Sequence, residues 1–294
     1  MSQTFTDVSP APAPRRIPRR YLALGVIILA IVLLGTLVLV RDNSSPSSST
    51  VETFNVAPSS LVSSLNVPAS AYDAVGVSSP TNPVASLSPT DTKALWLTGG
   101  AATRPVVFFY GAEFAPYAAA QRWPVVLALT RFGTFNKLGL MQSSMMSAFP
   151  SISTFTFRNV NYKSRWISLQ AVERYSSVDP TGARYLSLQK PDARQAAAVA
   201  EYGSGANNFA LTDVANRDVL SGSAFSPTVL EGMTQDQIAG DLDNPASPLA
   251  RAVLSAANEV TAAICAVDGQ KPGSTCESRG VLAADAALKL APPP

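Results

Sequence analysis

Histidine is absent from all 294 residues of the chain. This absence removes the side chain that most often serves as a general base near neutral pH, and with it the Ser-His-Asp and Cys-His triads. It also removes a principal zinc ligand. We therefore predict no metal site and no cofactor.

Charged residues are scarce, at 14% of the chain, and the net charge is +2. Residues 1–20 hold four arginines and one aspartate, a net charge of +3, so the remainder sums to +2 − 3 = −1. A nucleic-acid partner requires a clustered basic face, which a nearly neutral body does not provide. We therefore predict no nucleic-acid partner.

A long hydrophobic run, Tyr21–Val40, contains no charged residue. Its 20 residues match the roughly 20 that cross a bilayer as a helix. A buried core helix would show a polar stripe, and a cleaved signal peptide would have a shorter apolar region and a small-residue cleavage site. Four arginines precede the run, so the positive-inside rule places the N-terminus in the cytoplasm and the rest outside.

The chain is accordingly divided into four parts. Residues 1–20 are predicted to be a disordered cytoplasmic tail and residues 21–40 a single transmembrane helix in the plasma membrane. Residues 41–60 form a Ser/Pro-rich linker. Residues 61–290 form one extracytoplasmic domain, since their number suffices for a sizeable core.

The chain has only two cysteines, Cys265 and Cys276. An extracytoplasmic location permits disulfides, and the two cysteines lie eleven positions apart in a sequence that includes Gly269 and Pro272. A structural disulfide is the favoured interpretation. The alternative is a redox pair at these positions.

The stretch around which the domain is organised runs from Pro105 to Phe135. Val106–Tyr110 is typical of a strand buried on both faces, and a short turn carrying Pro116 leads into an Ala-rich helix. Glu113 is expected to be either solvated or paired, with Arg122 and Arg131 as the candidate partners, and the alternative is a buried acid beside the turn. Phe108, Phe109 and Trp123 are expected in the core.

Further elements follow from periodicity. Strands are predicted at 153–157, 166–172 and 208–214, and helices at 191–202, from Ser247 onward and at 277–290. Residues 134–150 are polar and predict a loop.

Several short motifs, taken in order, resemble an uncharacterised thioredoxin-like family of membrane-anchored proteins from actinobacteria and archaea, classed as a domain of unknown function. They are Val67-Pro68-Ala69-Ser70 with Val75-Gly76, Gly111-Ala112-Glu113 with Arg122-Trp123, Thr130-Arg131-Phe132-Gly133-Thr134-Phe135, Thr154-Phe155-Thr156-Phe157, Asp213 with Asn216, Ser221-Gly222 with Pro227, and Ile264-Cys265 with Cys276. The resemblance implies an α/β fold: a thioredoxin-like core with a helical C-terminal extension, preceded by the transmembrane helix.

The resemblance also implies where redox chemistry would lie, and this chain lacks the cysteines at that place. The family's turn commonly reads Cys-Pro-Phe/Tyr-Cys, whereas here Ala115 and Ala118 replace both cysteines. Thiol–disulfide exchange needs a thiolate, which alanine does not supply. The family's cis-proline position is likewise occupied by Ala210, which favours a natural pseudo-enzyme over an engineered substitution of the cysteines.

These features predict a non-catalytic function. The domain is expected to bind another envelope or membrane protein as an accessory, assembly or scaffold component, through the former substrate groove. The candidate contact residues are Phe114, Pro116, Tyr117 and Phe209. The alternative is a thiol–disulfide oxidoreductase, either an engineered Cys-to-Ala variant or an enzyme that uses Cys265 and Cys276.

Overall fold

The structure is a computed structural model that describes most of the chain after residue 54. The described residues are 55–78, 80, 83–86, 96–97, 104–179, 181–182, 184–203 and 209–290. The predicted cytoplasmic tail, the predicted transmembrane run Tyr21–Val40 and most of the predicted linker lie outside them.

The described residues contain strands and helices in mixed order. The strands are β1 (Asn55–Val56), β2 (Ala85–Ser86), β3 (Trp96–Leu97), β4 (Arg104–Gly111), β5 (Gly133–Gln142), β6 (Ser153–Ser164), β7 (Ser168–Glu173), β8 (Ala210–Val214) and β9 (Asp218–Ser221). The helices are α1 (Ser59–Ser64), α2 (Ala69–Val75), α3 (Pro116–Thr130), α4 (Ala193–Tyr202), a 3₁₀ turn (Pro227–Leu230), α5 (Gln235–Asp241), α6 (Pro248–Val267), α7 (Gly273–Cys276) and α8 (Arg279–Leu288). The predicted α/β class is confirmed as a mixed α/β fold with two sheets.

Strand β4 is the centre of the larger sheet. It pairs in parallel with β7, where Phe108 lies opposite Gln170, and antiparallel with β8, where Phe108 lies opposite Asp213. Strand β9 continues the sheet beyond β8, β2 pairs with β9, and β3 pairs with the start of β4. Phe108 and Phe109 are fully buried, as expected for a strand covered on both faces.

Helix α3 connects β4 to the smaller sheet. Every residue from Ala118 to Leu129 is buried, because the helix packs between the sheets and α6. Trp123 is fully buried, and its indole N–H donates to the carbonyl of Ser153 at 2.9 Å. The predicted core positions in this region are therefore confirmed.

The smaller sheet has the order β1-β5-β6. The prediction of a loop over 134–150 is wrong for its first part, since β5 is a strand as far as Gln142. Phe135 and Leu138 face the core, and long antiparallel pairing with β6 satisfies the backbone of a sequence that looks polar. Strand β1 and the first two residues of α1 fall within residues 41–60, which were predicted as a linker.

The C-terminal helices form a layer around α6. Helix α6 is the one described helix long and apolar enough to cross a membrane, but 89% of it is buried inside the protein. Helix α2 and the residue after it pack against α6. The Asn258 side chain donates to the carbonyls of Tyr72 at 3.0 Å and Gly76 at 2.9 Å. Arg131 joins the same layer by donating to Ser278 at 2.9 Å.

Candidate functional site at the end of strand β4

The turn that follows β4 is held by backbone hydrogen bonds. The N–H of Glu113 donates to the carbonyl of Tyr175 at 2.8 Å, and that of Ala115 donates to Ala112 at 3.2 Å. Ala115 is the N-cap residue of α3 and makes no side-chain cap, while Pro116 occupies the first helical position. Proline is favoured there, since its missing N–H would have no partner within the helix.

The two alanines differ in their contact with solvent. Ala118 is fully buried, whereas Ala115 retains 8% exposure at the start of the helix. A thiol at position 115 would lie at a helix N-terminus, where the macrodipole lowers the pKa of cysteine. The methyl groups in its place have no acid–base or nucleophilic chemistry.

Ala210 lies beside this turn. It is the first residue of β8, is buried, and pairs with Gly111 at the end of β4. Its neighbour Phe209 is half-buried and projects into the aromatic cluster around the turn. The structure thus brings Ala115, Ala210, Phe114 and Phe209 to one edge of the sheet.

Four aromatic side chains pack around the turn. The Phe114 ring stacks on Tyr185 at 4.2 Å between centroids and meets the edge of Phe209 at 5.2 Å. Tyr175 contacts Phe209 at 5.6 Å. The hydroxyl of Tyr185 donates to the hydroxyl of Ser144 at 2.7 Å, which connects the cluster to the loop between β5 and β6.

An open groove runs over this cluster, and we call it the turn groove. Its smaller part, about 550 Å³, lies over the turn, and its larger part, about 1640 Å³, lies between the β5–β6 loop and the loop after β7. The two parts share Phe114, Met146, Tyr185 and Phe209. All four predicted contact residues line the smaller part: Phe114, Pro116, Tyr117 and Phe209.

The rim of the turn groove is apolar and exposed. Tyr117 is 49% exposed, Met145 75% and Met146 84%. Among the described lining residues, only Asp179 and Arg184 carry charge. Four lining residues were not predicted from the sequence: Met145, Met146, Tyr175 and Tyr185. The adjacent methionines in a Ser-rich loop were the available signal, because apolar pairs in exposed loops are uncommon without a partner.

A buried ion pair joins Arg122, on the helix that follows the turn, to Glu173. Arg122 donates to Glu173 through Nε at 3.0 Å and through Nη2 at 2.5 Å, and both side chains are fully buried. The guanidinium carbon lies 5.2 Å from the centre of the Phe109 ring. The N–H of Phe157 also donates to Glu173, at 3.0 Å. The pair joins α3 to the end of β7 across the sheet.

Glu113 has other partners than those predicted. Its carboxylate accepts from the Thr156 hydroxyl at 2.6 Å and lies 3.3 Å from Nε of Arg158. Burial raises the pKa of Glu113, the Thr156 hydrogen bond opposes this, and the nearby Glu173 adds to it. The expected pairing of Glu113 with Arg122 or Arg131 is wrong, because Arg122 is already held on both carboxylate oxygens of Glu173.

The cysteines lie in the C-terminal layer. Cys265 near the end of α6 and Cys276 at the end of α7 form a disulfide with a Cα–Cα distance of 5.6 Å, which confirms the predicted pair. Both are buried, and neither lines the turn groove.

Comparison with known families gives one match. Residues 100–266 match the family described as "Domain of unknown function (DUF929)". The chain belongs to this family. The DUF929 match spans β4 to nearly the end of α6 and therefore includes the turn, the aromatic cluster and the buried ion pair. Neither a curated protein nor a solved structure matches the chain.

Proposed function

We propose that this DUF929 protein is a membrane-anchored, extracytoplasmic, thioredoxin-like protein without a redox centre. In this proposal it binds another envelope or membrane protein in the turn groove and acts as a non-catalytic assembly or scaffold component. The observation that carries the proposal is the turn groove itself: a large apolar surface at the end of β4, with alanines where a redox turn would need thiols.

The chain order of the larger sheet supports a thioredoxin-like core. Strand β4, helix α3 and strand β7 form a parallel β-α-β unit, although the β5–β6 hairpin is inserted before β7. Helix α4 comes next in the chain and is followed by the antiparallel pair β8–β9. Helix α6 packs against α3 and contacts β4 and β8. A thioredoxin-like core combines such a parallel unit with such a hairpin in one sheet.

The size and lining of the turn groove favour a protein ligand. Pockets for small molecules usually measure about 300–1,000 Å³ and enclose their ligand. The larger part of the turn groove exceeds that range and is open, so it suits an extended segment of a partner chain. Exposed methionines adapt to varied apolar side chains, and tyrosine is a frequent anchor in interfaces.

The alternative of a thiol–disulfide oxidoreductase has less support. Both cysteines of the chain are joined to each other in the C-terminal layer, at 2% and 1% exposure. Reactive cysteines are accessible and have an electropositive environment or a helix N-terminus beside the sulfur. Cys265 is near the C-terminal end of α6, where the helix dipole disfavours a thiolate.

The membrane anchor is proposed from the uncharged run Tyr21–Val40 and the arginines before it. Helix α6 is not a rival for this role, since it is buried in the fold. Anchoring would hold the turn groove near other membrane proteins.

A matched pair of substitutions tests the turn groove. Tyr117→Asp places a charge in the groove, while Leu282→Asp places the same charge on α8 at nearly equal exposure, 49% against 51%. We expect Tyr117→Asp to reduce a partner co-purified from native membranes by about 30-fold, since an interface anchor contributes about 2 kcal/mol or more. Leu282→Asp should leave it unchanged. Retention of every partner by Tyr117→Asp would exclude the groove.

A further inference from the structure

The middle of the chain is strongly segregated in charge. Residues 114–172 contain no aspartate or glutamate but six cations: Arg122, Arg131, Lys137, Arg158, Lys163 and Arg165. The two arginines of the α3 region are held inside the protein by Glu173 and by the C-terminal layer. The other four belong to the β5–β6 hairpin and the residue that follows it.

The hairpin displays its charge on one face. Along β6 and just beyond, Asn161, Lys163 and Arg165 are exposed, while the intervening Tyr162 turns inward. The Tyr162 ring packs 4.9 Å from Phe135, and its hydroxyl donates to the carbonyl of Leu129 at 2.9 Å. Because side chains alternate along a strand, Asn161 and Lys163 share the outward face of β6. The exposed Arg165 lies beside them in the bend after the strand, with its guanidinium carbon 4.4 Å from the centre of the Trp166 ring. We call this face, with Thr134 opposite Lys163, the cationic face.

The N-terminal part of the chain reaches the domain on this same hairpin. Strand β1 pairs with β5, with Asn55 opposite Leu140 and Val56 opposite Gly139. Fourteen residues, 41–54, separate the apolar run Tyr21–Val40 from β1. Even fully extended, such a segment spans at most about 50 Å. Strand β1, which pairs with this hairpin, is thus the described strand closest along the chain to the proposed anchor.

We infer that the cationic face rests on anionic lipid headgroups of the membrane that holds the anchor. This inference relies on the proposed anchoring but not on the turn groove. Lysine and arginine are attracted to headgroup phosphates, and segment 114–172, which contains the hairpin, has no carboxylate of its own. The adjacent Glu113 is buried against Arg158 and is not exposed on the cationic face. The contact would fix the orientation of the domain on the membrane and hence the direction in which the turn groove faces.

The effect of each cation is measurable. A lysine or arginine near an anionic membrane contributes an attraction that changes the contact equilibrium about fivefold. Lys163→Gln with Arg165→Gln should therefore weaken the contact about 25-fold. The matched control is Lys190→Gln with Arg251→Gln, two exposed cations outside the hairpin, and it should change the contact less than twofold.

The test uses the full chain reconstituted in phosphatidylcholine vesicles with or without phosphatidylglycerol. A fluorophore is attached through Asn161→Cys on the cationic face or, as a control, through Asp243→Cys after α5. Lipids with nitroxide-labelled headgroups quench a fluorophore that touches the surface. We expect quenching at position 161 only, only with phosphatidylglycerol, and its loss at high salt or in the Lys163→Gln/Arg165→Gln variant.

Alkaline carbonate extraction separates the possible failures. Release of the full chain from the vesicles would contradict the anchor and the proposed function. Retention with no quenching at position 161, or with equal quenching in both lipids, would overturn the cationic-face inference alone. A disulfide between Asn161→Cys of one copy and Asp243→Cys of another, formed without anionic lipid and lost in Lys163→Gln/Arg165→Gln, would assign the face to a second copy and also overturn the inference.

Discussion

Substitution of Glu173 by glutamine tests the ion pair beneath the turn. The change keeps the shape of the side chain but leaves the buried Arg122 guanidinium without the charged partner that accepts its hydrogen bonds. Nη1 of Arg122 already has no hydrogen-bond partner, and the nearby Glu113 carboxylate is held by Thr156 and Arg158. Breaking a buried pair in this way typically costs about 3–5 kcal/mol. Since domains are stable by about 5–15 kcal/mol, the loss is a large fraction of the total.

Removal of both charges should cost much less. The double substitution Arg122→Met with Glu173→Leu replaces the pair by apolar side chains, which is often neutral or stabilising. It leaves the N–H of Phe157 without its acceptor, a cost of about 1–3 kcal/mol. We therefore expect the double variant to be more stable than Glu173→Gln alone. This order is the signature of an uncompensated charge rather than of lost packing.

The assay is chemical denaturation of the full chain in mild detergent, followed by tryptophan fluorescence. In thermal unfolding, each kcal/mol corresponds to about 2–4 °C for a domain of this size. Glu201→Gln, on an exposed carboxylate of α4, is the control and should remain within about 0.5 kcal/mol of the original chain. A loss below about 1 kcal/mol for Glu173→Gln, or a double variant less stable than the single one, would refute the reasoning.

Three further predictions concern titration and sulfur chemistry. Burial raises the pKa of Glu259 to about 7 from an ordinary 4.5, so the folded chain keeps a proton that the unfolded chain releases. The free energy of unfolding should therefore fall as the pH rises from about 4.5 to 7. Glu259→Gln should remove on the order of 3 kcal/mol of this pH-dependent fall, measured by denaturation at a series of pH values. A pH profile that Glu259→Gln leaves unaltered would contradict this prediction. The double substitution Ala115→Cys with Ala118→Cys should form a disulfide with a reduction potential between roughly −270 and −120 mV, measured by alkylation in glutathione buffers. Failure to form that disulfide would count against a thioredoxin-like turn. Replacing Cys265 and Cys276 by alanine should lower stability by about 3 kcal/mol in denaturation, whereas a loss near zero would show that the buried helices hold the eleven-residue loop without the bond.

The sequence was most informative where one segment determines its own environment. The apolar run Val106–Tyr110 predicted β4 because a strand buried on both faces needs nearly continuous hydrophobicity. Pro116 marked the start of α3, and the helical periodicity from Ser247 onward predicted α6. Two cysteines close in sequence, on either side of a helix end, predicted their own disulfide.

Features that depend on distant partners were missed. Strand β5 contains Gly133, Gly139 and Lys137, and its extended conformation is stabilised by β6, whose pairing lies outside any local pattern. Arg122 and Glu173 are 51 residues apart, so their contact follows only from the parallel pairing of β4 and β7.

The candidate site was predicted in part for the same reason. Phe114, Pro116 and Tyr117 were found because the turn is one continuous segment. Phe209 was found through its place beside the cis-proline position in the resemblance. Tyr185 and Met146 reach the turn groove from loops whose paths are fixed by the hairpin and by β7, so their meeting at the turn became visible only in the fold.

Site-specific photocrosslinking in native membranes tests the central claim most directly. A photoreactive residue is placed at Tyr117 or Met146 in the turn groove, and at Leu282 on α8 as the control of similar exposure to Tyr117. A binding groove predicts one common protein adduct from both groove positions and none from Leu282. Equal adducts from all three positions, or none from the two groove positions, would contradict the account.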